Sequence, residues 1–260
     1  MIGYPRGLRL TLAALAALMM VGACGNPAEE PVPSQSTPAA PITVFAAASL
    51  TEAFTRIGAD FEARSGSAVT FNFGSSATLA TQINAGAPAD VFAAASGETM
   101  KMVTDGGGAG PAVEFASNTL QIAVPTGNPG QVTGLRDFAD RSKTIAICAP
   151  QVPCGAAATK VFAAARITPQ PDTLEADVKA ALAKVAADEV DAALVYRTDV
   201  IAASDNVEGI DFPESSKAVN SYPIAVLTRS TSASMAQAFV VHVLSPEGQA
   251  VLQKSGFVQP

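Results

Sequence analysis

Apolar residues along the chain fall into short runs that alternate with longer Ala-rich segments of helical spacing. After the first run, ITVFA from Ile42, the residues Leu50, Phe54 and Ile57 recur at the spacing of one helix face. Further Val-, Ile- and Phe-rich runs follow at AVTFNF, DVFAAA, LQIAVP, KTIAIC, DAALVY and YPIAVL. Short strands that alternate with helices are typical of βαβ units. The pattern predicts an α/β fold with mostly parallel sheets.

The first 23 residues follow a different pattern. Arg6 and Arg9 precede an apolar run from Leu10 to Val21, and the segment has no acidic residue. This is typical of a secretory signal peptide. The run is shorter than the ~20 residues that a membrane-spanning helix needs. The small residues before Cys24 resemble a lipoprotein box, which predicts a lipid-modified Cys24. The alternative is ordinary signal cleavage that leaves Cys24 as a free thiol.

Residues 24–40 are rich in Pro, Ser, Ala and Gly and lack apolar periodicity, so we expect a flexible tether. The folded body then starts near Pro41 and is long enough for one large or two small α/β lobes. Removing the signal segment, with its two arginines, leaves 14 of the 16 basic residues against 23 acidic ones, a net charge of −9. Such a charge disfavours nucleic acid and acidic membrane surfaces as partners.

Two cysteines remain in the body, Cys148 and Cys154, separated by APQVP. Outside the cytoplasm a cysteine pair is usually oxidised, so we expect a disulfide between them. The chain has one histidine, His242, and no Cys/His cluster at ligand spacing. We therefore expect no metal coordinated directly by protein side chains.

Small residues stand where the first predicted strand ends and the first predicted helix begins, in ITVFAAASLTEAF. Ser49 is followed three residues later by Glu52, which is the S-x-x-E pattern of a capping box. One interpretation of Ser49 is therefore structural, as the cap of its own helix.

The same arrangement of strand, small residues and helix start recurs three times. The recurrences lie at Ser75 and Ser76, at Cys154 and Gly155, and at Asp177 and Val178. The first turn of a helix leaves backbone N–H groups without internal partners at a partially positive end. Several such ends that converge could bind an anion without any basic residue. Small side chains would leave those donors accessible, and serine adds a hydroxyl donor.

Six motifs in this order resemble the periplasmic molybdate-binding proteins of ABC transporters. They are ITVFAAASLTEAF, FGSSATLATQINAGAPADVFAAAS, VPCG, EADVKAAL, ALVYRTDV and the terminal SPEGQAVLQKSGF. The resemblance covers 41–260. Its first two motifs are fairly specific, whereas PADVF and the terminal motif are shared more widely among solute-binding proteins.

The resemblance implies a type II periplasmic-binding-protein fold, in which two lobes of mostly parallel sheet flanked by helices hold the ligand between them. The first lobe would comprise 41–118 plus 220–260, and the second 119–219. The crossovers are expected near Ser117 to Leu120 and near Asn220 to Tyr222.

The resemblance also implies a set of ligand contacts. Ser49 and Ser76 would contribute hydroxyl and backbone N–H groups, and Tyr196 its phenolic hydroxyl. Cys154 and Val178 would contribute backbone N–H groups. The chain departs from the family pattern in having Cys154 in place of alanine and Ala77 in place of a third serine.

Other residues near these motifs have simpler interpretations. A buried tyrosine bonded to a neighbouring carbonyl is the alternative for Tyr196. Arg197, as the next residue of a strand, would face away from the site and form a surface ion pair. Lys179 is expected on a solvated helix face, and His242 as a packing or surface histidine. The Gly-rich segment from Asp105 follows a predicted helix, so we expect a loop.

The resemblance therefore implies an extracytoplasmic receptor, lipid-anchored to the outer face of the cell membrane. It would capture molybdate, and also tungstate, close its lobes and deliver the ion to a permease driven by a cytoplasmic ATPase. We expect a monomer without a cofactor and without catalytic residues. The alternatives are capture of sulfate or phosphate, and a serine hydrolase using Ser49 or Ser76. The chain lacks a G-x-S-x-G motif, which disfavours the hydrolase.

Overall fold

The computed structural model describes residues 39–260, so the predictions for the signal peptide, for Cys24 and for most of the tether fall outside the described residues. The strands are β1 Ile42–Ala47, β2 Val69–Gly74, β3 Val91–Ala93, β4 Val113–Asn118, β5 Leu120–Pro125, β6 Ile145–Cys148, β7 Thr173–Glu175, β8 Ala192–Tyr196, β9 Val207–Ile210 and β10 Asn220–Val226. The α-helices are α1 Thr51–Ser65, α2 Ser76–Asn84, α3 Gly97–Thr104, α4 Pro153–Ala165, α5 Val178–Ala186, α6 Arg197–Ala202, α7 Ala233–Leu244 and α8 Pro246–Lys254. Three short 3-10 helices lie at Ala48–Leu50, Leu135–Ala139 and Pro213–Lys217.

The strands form two five-stranded sheets flanked by helices. The first sheet has the order β2-β1-β3-β10-β4, and the second the order β7-β6-β8-β5-β9. β1 pairs in parallel with β2 and β3, and β6 pairs in parallel with β7 and β8. β10 and β5 are antiparallel to both of their neighbours. The predicted α/β fold is confirmed, but each sheet is mixed rather than mostly parallel.

The antiparallel pairs follow from how the chain passes between the sheets. It leaves the first sheet at the end of β4 and enters the second at β5, with only Thr119 between them. It returns after β9 through 211–219 and enters the first sheet at β10. β5 and β10 each begin directly after a connection between the sheets, whereas their neighbours in the sheet end close to it. β5 and β10 are therefore antiparallel to those neighbours. The exact lobe boundaries stay a prediction.

The hydrophobic core is divided between the two sheets. The predicted apolar face of α1 is buried against the first sheet, where Phe54 and Phe61 pack on Phe239 of α7 with ring centroids 6.0 and 5.4 Å apart. Another cluster surrounds the second sheet and includes Ile122 and Val195. This packing fixes the ends of β1 and β8, from which the site is built. Between residues 39 and 260, no helix is long and apolar enough to cross a membrane.

Candidate functional site

A small cavity lies where helix starts from the two sheets meet. The structure brings all five sequence-predicted site residues together in its wall: Ser49, Ser76, Cys154, Val178 and Tyr196. The remaining lining residues are Ala47, Ala48, Gly74, Ser75, Ala95, Val152, Pro153 and Asp177. The cavity volume open to the centre of a water molecule is about 20 Å³. Because one water needs about 10–15 Å³ on this measure, the cavity fits a small ion better than an organic solute.

The cavity wall is built largely from helix N-termini. α4 illustrates the arrangement, because its first residue, Pro153, has no N–H and its first backbone bond runs from Ala156 N–H to the Val152 carbonyl. Cys154 and Gly155 therefore have no intrahelical acceptor for their N–H groups. Among the lining residues that the structure describes there is no lysine, arginine or histidine. The partial positive charge that the wall offers an anion is therefore that of backbone N–H groups at helix starts.

Ser49 does not cap α1, so the predicted capping box with Glu52 is wrong. Ser49 lies inside the 3-10 turn Ala48–Leu50, which moves the start of α1 to Thr51. Its Oγ lies 2.8 Å from the phenolic oxygen of Tyr222, in a buried hydrogen bond. Ser49 is only 3% exposed, so its hydroxyl is held at the cavity wall by β10.

The two serines at the start of α2 have different partners. Ser76 is buried, and its Oγ accepts a hydrogen bond from the backbone N–H of Ala95 at 3.0 Å. The hydroxyl hydrogen of Ser76 therefore remains available for another acceptor. Ser75 occupies the N-cap position of α2, but its side chain makes no capping bond. The Ser75 Oγ is buried and has no hydrogen-bond partner among the residues described.

Tyr196 ends β8 and places its ring against the cavity. It is 1% exposed, and no residue in the described part of the chain meets hydrogen-bond geometry with its phenolic oxygen, although the side chains of Tyr222 and Asn220 lie near enough to affect its pKa. The alternative of a tyrosine bonded to a neighbouring carbonyl is therefore not observed. Burial raises the pKa of Tyr196 well above its usual value, with smaller effects from Tyr222 and Asp199. The phenol stays protonated and can donate. β8 ends at Tyr196 and α6 begins at Arg197, so Arg197 is not a strand residue; its side chain is exposed and faces away from the cavity as predicted, but it forms no salt bridge among the residues described.

The start of α4 is held by a disulfide and by close backbone packing. Cys148, at the end of β6, is joined to Cys154 with a Cα–Cα distance of 5.7 Å, inside the usual range. A Cβ atom at Gly155 would collide with the carbonyl group of Ala149. These contacts press the first turn of α4 against the end of β6, so its N–H groups have a fixed position at the cavity.

Val178 is the first residue of α5, and its neighbours on both sides are engaged. Oδ1 of Asp177 accepts a hydrogen bond from the N–H of Ala180 at 3.0 Å. This cap uses the third N–H of the helix, so the N–H groups of Val178 and Lys179 have no intrahelical acceptor. Asp177 is also the one carboxylate in the cavity wall as described.

Lys179 is not on a solvated face, contrary to the sequence prediction. Its side chain is 25% exposed, and its Nζ lies 2.8 Å from Oε1 of Glu52 and 3.1 Å from Oδ1 of Asp199. Burial lowers the pKa of Lys179, but the two carboxylates outweigh this effect and raise it overall. The pair with Glu52 joins α1, beside the first sheet, to α5, beside the second. The other oxygen of Asp199 accepts from the N–H of Tyr196 at 3.2 Å.

Burial also changes the ionisation of Asp199, which is fully enclosed on α6. Desolvation raises its pKa from 3.8 to about 6, although the Lys179 ammonium and the Tyr196 N–H act in the opposite direction. Neither Asp199 nor Tyr222 was predicted from the sequence. Tyr222 contacts Ser49, which is distant in the chain, and Asp199 lies in the motif ALVYRTDV, which was assigned a role only through Tyr196.

The one histidine of the chain, His242, packs on Phe61, and its Nε2 lies 3.1 Å from a carboxylate oxygen of Asp60.

Two sheets flanked by helices, with an ion-sized cavity lined by helix starts from both, define a solute-binding protein. Residues 42–258 match the family of bacterial extracellular solute-binding proteins, and the chain belongs to this family. It is 39% identical to the molybdate-binding protein ModA of Mycobacterium tuberculosis, over 98% of this chain and 100% of the relative.

Solved structures have the same fold. The Azotobacter vinelandii periplasmic molybdate-binding protein superposes with a TM-score of 0.70 at 22% identity, over 84% of this chain and 99% of that one. The sulfate-binding protein SubI of Mycobacterium tuberculosis superposes with a TM-score of 0.75 at 18% identity, over 85% and 87%. At these identities the likeness shows the fold alone, and it confirms the predicted two-sheet binding-protein architecture.

Proposed function

We propose that the protein captures molybdate, and also tungstate, in the cavity and delivers it to an ABC importer. The observation that carries this proposal is the small cavity, whose walls are helix N-termini and hydroxyl groups without a basic side chain among the residues described. An anion that leaves water loses its hydration, and a surrounding set of N–H and O–H donors can offset that loss. The 39% identity to the Mycobacterium tuberculosis molybdate-binding protein supports molybdate in particular.

The proposed contacts are the five residues predicted from sequence. Ser49 and Ser76 donate through hydroxyl and backbone groups, Cys154 and Val178 through backbone N–H groups, and Tyr196 through its phenol. The existing bonds favour donation by both serines. Ser76 Oγ already accepts from Ala95, and Ser49 Oγ can accept from Tyr222, so each hydroxyl hydrogen can turn to the anion.

Such a set of donors suits a fully deprotonated tetrahedral anion better than a protonated one. Hydrogen phosphate carries a proton that needs an acceptor, and Asp177, the one carboxylate among the described lining residues, has one of its two oxygens engaged by the N–H of Ala180. Sulfate has the same charge and shape as molybdate but is smaller. Sulfate is therefore the more serious competitor and must be included in the test.

The surroundings of the two serines do not favour catalysis. Ser49 Oγ pairs with a tyrosine of raised pKa, and Ser76 Oγ pairs with a backbone N–H. The only histidine of the chain, His242, is paired with Asp60. Neither serine thus has a general base beside it in the described structure, and we propose a binding protein rather than a hydrolase.

The cellular setting is proposed from the sequence and from the family. A lipid on Cys24 would anchor the protein to the outer face of the cell membrane, and residues 24–40 would act as the tether. The partners would be a permease and its cytoplasmic ATPase, and the protein would act as a monomer without a cofactor. We propose that the Lys179 and Glu52 pair stabilises the closed arrangement of the two sheets around the ion.

Thermal unfolding with different anions tests the proposed ligand. An anion at 100 times its dissociation constant should stabilise the native state by about 2.7 kcal/mol. We expect this protection from molybdate and tungstate at micromolar concentrations, with sodium chloride as the ionic-strength control. Protection by sulfate without protection by molybdate would refute the assignment. Tyr196→Phe removes a hydroxyl without a partner, so it should weaken the molybdate effect while the ligand-free melting temperature stays unchanged or rises.

A further inference from the structure

One serine in the cavity wall has no function in the proposed set of contacts. Ser75 precedes α2, is 7% exposed, and its Oγ has no hydrogen-bond partner among residues 39–260. Buried hydroxyls nearly always have a partner, because leaving one without a hydrogen bond costs free energy. The environment of Ser75 therefore calls for an explanation.

Helix capping does not explain Ser75. A serine at this position normally accepts a hydrogen bond from the second or third N–H of its helix. Ser96 does so for α3, from Thr99 N–H at 3.2 Å, and Ser245 does so for α8, from Gly248 N–H at 3.2 Å. Ser75 makes no such bond to α2. Its hydroxyl thus differs from those of two serines at the same helix position in the same chain.

We propose that the hydroxyl of Ser75 is a further contact to the bound anion, in addition to the five residues above. The inference rests on the proposed function, because the donor needs an anion in the cavity. Ser75 and Ser76 are consecutive at the start of α2, and both line the cavity. The Ser76 hydroxyl is anchored by Ala95, whereas that of Ser75 is free to turn toward the ligand. A tetrahedral oxyanion supplies the acceptor that the structure leaves open.

Isothermal titration of the whole protein with molybdate tests this contact, using Ser75→Ala and the matched variant Ser96→Ala. Ser75→Ala should weaken molybdate binding by about tenfold to hundredfold, as expected for a lost hydrogen bond to a charged group. Its ligand-free melting temperature should stay unchanged or rise, because no protein bond is lost. Ser96→Ala should do the opposite, with a lower melting temperature and unchanged affinity. Ser75→Gly provides a second variant, since glycine is well tolerated at this helix position.

The possible results separate the inference from the proposed function. Unchanged molybdate affinity in Ser75→Ala and Ser75→Gly, with normal binding by the wild type, would overturn the role of Ser75 and leave the proposed function intact. A lower ligand-free melting temperature with unchanged affinity would also overturn it and would make Ser75 a cap. No binding of molybdate by the wild type would refute the proposed function and this inference together.

Discussion

Helix N-termini in this protein fall into two groups that differ in how their free N–H groups are used. Away from the cavity, Ser96 and Ser245 cap α3 and α8 with their own side chains. At the cavity, the 3-10 turn that leads into α1, together with the starts of α2 and α4, has no side-chain cap. α5 is intermediate, because Asp177 uses its third N–H and leaves the first two.

A capping side chain and a bound anion would use the same backbone N–H donors, so a helix start can serve one or the other. Lack of a cap is not sufficient evidence of a site, because α7 also starts without one, at the half-buried Ser232, where water can reach the donors. An uncapped start that is also buried in a small cavity has room beside it for little more than one water molecule or one small ion. The combination of burial and missing caps therefore distinguishes the proposed site from the helix starts at Ser96, Ser232 and Ser245.

A substitution that displaces the start of α4 from the cavity should have the largest effect on stability and on molybdate binding. In Gly155→Ala the new methyl group would collide with the Ala149 carbonyl, so α4 must move away from β6. We expect a loss of about 3 kcal/mol in unfolding free energy, at the upper end for an overpacked site, and a severe loss of molybdate binding. Gly97→Ala, at the start of α3, is the matched control because no atom lies within 4 Å of its added Cβ. Urea unfolding measures the stability of both variants. Equal stability of Gly155→Ala and Gly97→Ala would contradict the described packing of α4.

The ionisation of Asp199, which contacts Tyr196 and Lys179 beside the cavity, should make the stability of the protein depend on pH. Burial raises its pKa from 3.8 to about 6, so the folded protein holds this proton more tightly than the unfolded chain. Its stabilising contribution is therefore present below about pH 4 and is lost as the pH rises through 6. Between pH 7 and 4 the wild type should gain up to about 3 kcal/mol relative to Asp199→Asn. Urea unfolding of both proteins across this range tests the prediction, and parallel pH profiles would contradict it.

Removing Lys179 should reduce stability by a smaller amount. Lys179→Met leaves Asp199 buried without its cation and breaks the link between α1 and α5. Losing one partner of a buried pair costs about 3–5 kcal/mol, and partial exposure of Lys179 and Glu52 should reduce this to about 2 kcal/mol. Lys101→Met is the control, because Lys101 forms only an exposed pair with Asp105. A stability loss no greater than that of the control would show that the link contributes nothing.

The smallest expected effect is that of Tyr222→Phe, which removes the hydrogen-bond partner of Ser49 and should weaken molybdate binding. The Ser49 hydroxyl has one hydrogen, so within its bond to Tyr222 it can donate to the anion only if Tyr222 is the donor of that bond. Without it the hydroxyl loses its fixed direction. We expect an approximately tenfold weaker affinity for molybdate, about 1.4 kcal/mol, by calorimetric titration. Unchanged affinity would mean that Ser49 is positioned without Tyr222.

Much of the fold could be predicted because its signals are local. The apolar face of α1 and the runs that become β1, β5 and β8 are visible in the sequence, and they are buried as expected. The strands β4, β7 and β9 were not predicted, since each has exposed residues and few apolar ones. Strand order and direction depend on where the chain passes between sheets, which no local pattern specifies.

The site could be predicted only in part. Small residues at helix starts, together with the family resemblance, led to all five residues that the cavity brings together. The partners that hold them were not visible, because Ser49 and Tyr222 are 173 positions apart and Glu52 and Lys179 are 127 apart. Ser49 was assigned as a possible cap for the same reason, since the sequence shows its near neighbour Glu52 but not its distant hydroxyl partner.

A crystal structure of the protein grown with molybdate would show where the ion binds, because anomalous scattering locates molybdenum. We predict one strong peak inside the cavity, enclosed by the starts of α2, α4 and α5 and by the turn that contains Ser49. A peak bound only at exposed cations such as Lys254, with the cavity empty, would contradict the claim that uncapped helix starts form the binding site.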